Sequence, residues 1–187
     1  MPTITFPKSF PRSDKVRELI EFGAAGAPEG TEIHVKSRPL RHTWHVEGFG
    51  VGFSTRAAAA RAFPGREPYP LTDWGPYFTS GYAYVDAVND EMTRLQPDSL
   101  WLFTLTIPTP EAYSANSWPY DHVYPGKRSS SAPWPHLHLS CWQEDVVSAA
   151  AHEAQHLVQF RDGLPHSEME AEEAALDRLR EWQSRAS

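Results

Sequence analysis

The stretch from Asp145 to Phe160 limits how this chain can fold more than any other. Val146, Val147, Ala149, Ala150, Ala151, Leu157 and Val158 make it an apolar, helix-favouring run whose stripe must be buried. In its middle stand His152, Glu153, Ala154, Gln155 and His156. Two histidines four positions apart lie one turn above each other on the same helix face. Buried imidazoles need partners, and this His-Glu-x-x-His spacing is that of a metal clamp. Glu153, one step round the helix, is placed to hold a water that a bound zinc has acidified. The expectation is therefore one Zn2+ ion held by His152 and His156, with Glu153 as the catalytic base.

A catalytic zinc site generally takes three protein side chains and keeps one open position, so a third ligand must come from elsewhere. Four glutamates follow, at 168, 170, 172 and 173. Ser167 followed three residues later by Glu170 reads as a capping box, which starts a helix at Ser167 and gives Glu170 a structural task. At 3.6 residues per turn, Glu168, Glu172, Ala175, Leu179 and Trp182 share one face, while Glu170, Glu173, Asp177 and Glu181 lie largely on the other. Glu168 and Glu172 thus head an otherwise apolar stripe, and a buried carboxylate needs a cation or strong donors. Glu168 is the expected third ligand. Glu172, one turn later, is the expected acceptor that orients a ligand histidine through its other ring nitrogen. His166 is the rival third ligand, but it precedes the helix and would have to reach back.

On these residues the sequence resembles the gluzincin class of zinc metallopeptidases, in which a His-Glu-x-x-His helix is followed by a second helix bearing a ligand glutamate. Several branches of that class open the second helix with Glu-x-x-Ala-Asp. Here Glu168-Met169-Glu170-Ala171-Glu172 matches it with Glu in place of the Asp. The resemblance covers about residues 143 to 183. It implies a zincin-like fold, a small mixed sheet with an active-site helix and a C-terminal helix carrying the third ligand. Only 11 residues separate His156 from Glu168, so the connection through Asp162-Gly163-Leu164-Pro165 makes a short helical hairpin, as in compact gluzincins. Gln159 and Asp162 stand where the metzincin pattern requires Gly and His.

The remainder of the chain sets the context. At 187 residues with 40% apolar and 12% aromatic content, a single domain spanning 1–187 with a real core is expected. A net charge of −7 without a dense basic run makes nucleic acid a poor partner and leaves a polypeptide substrate unrestricted. The lone Cys141 excludes an internal disulfide framework and points to a reducing compartment. The N-terminus has no signal-peptide pattern and no run reaches membrane-spanning length, so a cytoplasmic protein without membrane partners is expected.

Along residues 1–107, a helix from Ser13 or Asp14 to about Ala24 precedes strands at Thr31–Lys36 and Thr43–Glu47, which could pair as neighbours. A short helix over Thr55–Phe63 follows, then strands at Gly81–Val88 and Ser99–Ile107. Pro135–Cys141 alternates as a strand and leads into the metal-binding helix, with His136 and His138 together on the face away from the core, as a solvated or cleft-facing pair. Strands first and helices last indicate α+β. Residues 108–135 read as one long loop rich in Pro and aromatics, which could wall a cleft. Tyr120, His122 and Tyr124 in it are candidates for the donor that stabilises a transition-state oxyanion.

These expectations describe a metallopeptidase in which Glu153 relays a proton from water to the leaving amine. The competing class is a binding or regulatory module that keeps a zincin core and uses zinc structurally, with its fourth position closed. A hydrolase of non-peptide amides shares the site and differs only in the cleft.

Overall fold

The computed structural model describes residues 1–39, 42–48, 53–72, 78–85, 101–123 and 134–185. These form a mixed α+β arrangement with a small mixed sheet and, among the described residues, five helices. Two compact units emerge, one from residues 1–37, 78–107 and 117–187 and a smaller one from 38–77 and 108–116.

In the larger unit a four-stranded sheet runs β1 (Thr3–Thr5), β2 (Glu32–Arg38), β6 (Trp101–Pro108), β5 (Ser80–Val85), the labels following chain order. β1 pairs with β2 in parallel, and β5 pairs with β6 antiparallel from Ser80 opposite Thr106 to Val85 opposite Trp101. β5 is therefore an edge strand among the described residues. The alternation of β6 buries Phe103, Leu105 and Ile107. α1 (Ser13–Gly23) turns Val16, Leu19, Ile20 and Gly23 inward as one helical stripe. Gly23 is required by close helix packing, because a Cβ there would meet the Ala150 Cβ at 2.8 Å.

α4 (Trp142–Arg161) is the central helix of this unit, buried on most of its circumference by α1, β5 and α5 (Glu168–Arg185). Its first turn is closed by Glu144, whose carboxylate accepts from Ser140 N (2.5 Å) and from Gln183 Nε2 (3.2 Å) at the far end of α5. The antiparallel α4/α5 pair encloses Ala151, Ala175 and Leu179 against Leu137 and Leu139 of β8 (His136–Leu139). No helix among the described residues is long and apolar enough to cross a membrane.

Two expectations are corrected. β2 and the strand β3 (His42–His45) are not neighbours: β2 lies between β1 and β6, and β3 pairs with β4 (Tyr69–Thr72) in the smaller unit, which also holds α2 (Arg56–Ala62). Alternation identifies a strand but carries no information on its partner. Nor is 108–135 one loop. It contains the short helix α3 (Pro110–Ser114), capped by Thr109, and β7 (Tyr120–Val123), which pairs antiparallel with β8. Tyr120 to Val123 is too short to show a period, yet it finds a partner in the clearly alternating His136–Leu139.

Candidate metal centre

α4 and α5 bring together the three residues expected as ligands. His152 and His156, one turn apart on α4, turn their Nε2 atoms to within 3.1 Å of each other. Glu168, the first residue of α5, sets Oε2 3.1 Å from His152 Nε2 and 3.3 Å from His156 Nε2. Among the described residues this is the group of three or more His, Cys, Asp or Glu side chains with ligand atoms close enough to share an ion. A tetrahedral zinc with ligand bonds near 2.0–2.1 Å separates its ligand atoms by about 3.3 Å, so the spacing fits without rearrangement.

The outer nitrogens of both rings decide what sits inside. His152 Nδ1 lies 3.2 Å from Glu172 Oε1, and His156 Nδ1 lies 3.0 Å from Gln159 Oε1. Each Nδ1 therefore donates its proton outward, which leaves two Nε2 lone pairs and a carboxylate oxygen facing one another. Three acceptors in contact repel unless a cation lies among them. The donor set, two imidazoles and one carboxylate with an open side, is the kind that zinc takes in catalytic sites.

Burial and charge tune each group. Burial would lower the His152 pKa, but its hydrogen bond to Glu172 and the charges of Glu153, Glu172 and Glu168 outweigh this and raise it. His156 is lowered by burial and by the neighbouring His152 and His166, against the opposing Gln159 and Glu168. Burial alone would push Glu172 up; its hydrogen bonds to His122 and His152 and their charges win, holding it at about 2. Glu153 goes the other way. Burial raises it to about 7, with His152 and a backbone hydrogen bond from Ala83 pulling only partly against it.

Glu153 leans on the edge strand. Gly81 of β5 lies so close that a Cβ there would collide with the Glu153 Cγ and Oε1. Just before that strand, the Thr79 N–H donates to Asp145 Oδ2 of α4 at 2.7 Å. Between β5 and α4 opens a cleft of about 360 Å3 whose walls include Tyr82, His122, His152, Glu153, His156 and Glu168.

The remaining candidates are sorted by position. Glu172 is buried on the α5 stripe and reaches His152, as its place one turn after Glu168 implied. His166 does not join the ligand group. It stacks on His156 at 4.3 Å, and its Nε2 stands 3.6 Å from Glu168 Oε1, the oxygen turned away from the two imidazoles. His122, on β7, lines the cleft with Nε2 3.8 Å from Glu172 Oε1, so one carboxylate serves two histidines. Tyr120 instead packs at a tilt on Phe78, with ring centroids 4.3 Å apart, and Tyr124 lies outside the described residues.

Two residues went unassigned in the sequence. Gly81 could have been noticed as a glycine inside a strand pattern, a sign of close approach. Gln159 stands three residues after His156 in a helix face that must be buried, and a polar side chain there needs partners. The capping box is also altered. Glu170 N donates to Ser167 Oγ (3.3 Å) as expected, but the Ser167 N–H goes to Gln159 Oε1 (3.3 Å), with Glu170 Oε2 accepting from Gln159 Nε2 (3.0 Å). No protein-family model matches the chain, and no curated protein or solved structure is similar to it at a significant level.

Proposed function

We propose that this chain is a zinc-dependent metallopeptidase of gluzincin type with a zincin-like fold, hydrolysing polypeptide substrates. The observation that supports it best is the convergence of His152 Nε2, His156 Nε2 and Glu168 Oε2 with both Nδ1 atoms engaged elsewhere. Zinc, when bound, lowers the pKa of a water and polarises the substrate carbonyl. Glu153, with its pKa raised by burial to about 7, can take a proton on its carboxylate at neutral pH and release it to the departing amine. With zinc bound, His152 and His156 would contribute neutral rings with the lone pair on Nε2, His152 giving up the proton that its acidic neighbours otherwise favour. Glu172 holds His152, and His122, its second imidazole partner, lines the cleft where the oxyanion would develop. β5, an edge strand among the described residues, lines the cleft, and an extended peptide can be laid along it.

A reducing, cytoplasmic setting accords with the lone Cys141, and the charge of −7 disfavours nucleic acid as a partner. The test is metal analysis of the purified protein together with proteome-wide mapping of new chain termini for wild type and Glu153→Gln. About one zinc per chain in both, with new termini in wild type alone, is the expected result. Protein without retained zinc, or the same termini from both, overturns the proposal.

A further inference from the structure

Gln159 is fully buried and uses every hydrogen-bonding position its amide has. Its Oε1 accepts from His156 Nδ1 (3.0 Å) and Ser167 N (3.3 Å), and its Nε2 donates to Ser167 O (3.0 Å) and Glu170 Oε2 (3.0 Å). The surroundings leave no choice in which way the amide points. The Ser167 N–H can only donate, so the atom facing it is the oxygen. The Ser167 carbonyl and the Glu170 carboxylate only accept, so the atom facing them is the nitrogen. A flipped amide would set donor against donor and acceptor against acceptor.

The consequence falls on His156. An oxygen pinned against Nδ1 requires Nδ1 to carry the ring proton, which leaves the lone pair on Nε2, the atom that faces His152 and Glu168. The same amide grips both main-chain groups of Ser167, the residue directly before the ligand Glu168. The main-chain carbonyl of Gln159 also accepts from Leu164 N (2.9 Å) in the connecting turn. We infer that Gln159 is a positioning residue that fixes the tautomer of His156 and, through Ser167, the seat of Glu168, so that one buried amide aligns ligands on both helices. This rests on the zinc reading for its purpose, though the tautomer itself can be observed without metal.

The experiment uses the full chain and two variants. Gln159→Met keeps the volume and removes all four hydrogen bonds. Gln159→Glu keeps an acceptor toward His156 Nδ1 and Ser167 N and removes both donors. Nitrogen-15 NMR of the histidine rings in metal-free protein reads the tautomer, and chelator competition reads zinc affinity. In wild type, His156 is expected as the Nδ1–H form. Gln159→Met should mix the two tautomers and weaken zinc about 10- to 100-fold, the usual loss for an outer-shell partner, while Gln159→Glu retains the Nδ1–H form. A Gln159→Met protein with the wild-type tautomer and wild-type zinc affinity overturns the inference. Should that variant not fold, Gln159→Glu decides alone, because loss of the Nδ1–H form there contradicts the assigned acceptor. Wild-type protein that binds no zinc refutes the proposed function, whereas the ring signals of His156 still judge Gln159.

Discussion

Gly81→Ala isolates the seat of the catalytic base from the metal ligands. A Cβ at this position would overlap the Glu153 Cγ and Oε1 and lie 2.5 Å from Cδ. Carbon atoms in van der Waals contact stay about 3.5–4.0 Å apart, so the carboxyl must withdraw by about 1 Å or leave its place altogether. A displacement of that size costs on the order of 100-fold in rate, and complete loss of a general base about 10²- to 10⁴-fold. Zinc affinity should stay within a factor of about three, or about 0.6 kcal/mol, because Gly81 is no partner of any ligand. The backbone at Gly81 is extended, so alanine meets no main-chain strain, and the three atoms nearest its Cβ would all belong to Glu153. Denaturant unfolding then supplies a readout that needs no substrate. Gly81→Ala should destabilise by about 1–3 kcal/mol beside Glu153, the usual penalty for overpacking. In the Glu153→Ala background the same change should be neutral or stabilising by about 0.4–1 kcal/mol, from the reduced freedom of the unfolded chain. Equal effects in both backgrounds, or full turnover by Gly81→Ala, would show that Glu153 does not rest against β5.

Four other substitutions address the remaining groups. Glu168→Gln should abolish tight zinc binding in chelator competition whereas His166→Ala retains it, and the opposite ranking would make His166 the third ligand. Glu172→Gln should weaken zinc about 10- to 100-fold by releasing His152 Nδ1, and unchanged affinity would strip Glu172 of its orienting role. In metal-free protein, Glu153 keeps its proton up to about pH 7 when folded but only to about 4.5 when unfolded, so stability falls as pH rises between these values, by about 3 kcal/mol in total. Glu153→Gln should remove that slope, and unfolding curves at pH 5 and pH 8 that fall equally for both proteins would falsify the assignment.

How much of this was legible in the sequence depended on the range of each interaction. The ligands of α4 and α5 lie on helical faces, and a period of 3.6 residues fixes those faces from local spacing alone. Glu168 and Glu172 are therefore separable from Glu170 and Glu173 by sequence spacing alone. The pairing of β7 with β8, the partner of β3 and the contact of Gly81 with Glu153 join segments distant in sequence, and no local period encodes them. Gln159 falls between these cases. Its helical position was readable, but its four hydrogen bonds depend on how the turn from Asp162 to Ser167 brings Ser167 back over α4.

Glu153 and Glu172 are both buried carboxyls beside His152, yet their pKa values move in opposite directions, and the cause of the split assigns their tasks. Glu172 has two imidazoles for partners and is held at about 2, so at neutral pH it stays ionised and orients without exchanging a proton. Its stabilising contribution, about 3 kcal/mol, is complete above about pH 4.5 and is lost as pH falls toward 2. Glu153 has only the Ala83 backbone hydrogen bond and the charge of His152 to offset burial, and it titrates near 7, where a proton can be both accepted and released. Together the two acids give metal-free protein a stability that rises with pH up to about 4.5 and declines beyond it. Removing Glu172 should erase the rising limb alone and removing Glu153 the falling limb alone. A single substitution that flattened both would mean that the carboxyls titrate as one coupled pair, and the division between an orienting acid and a reacting one would fail.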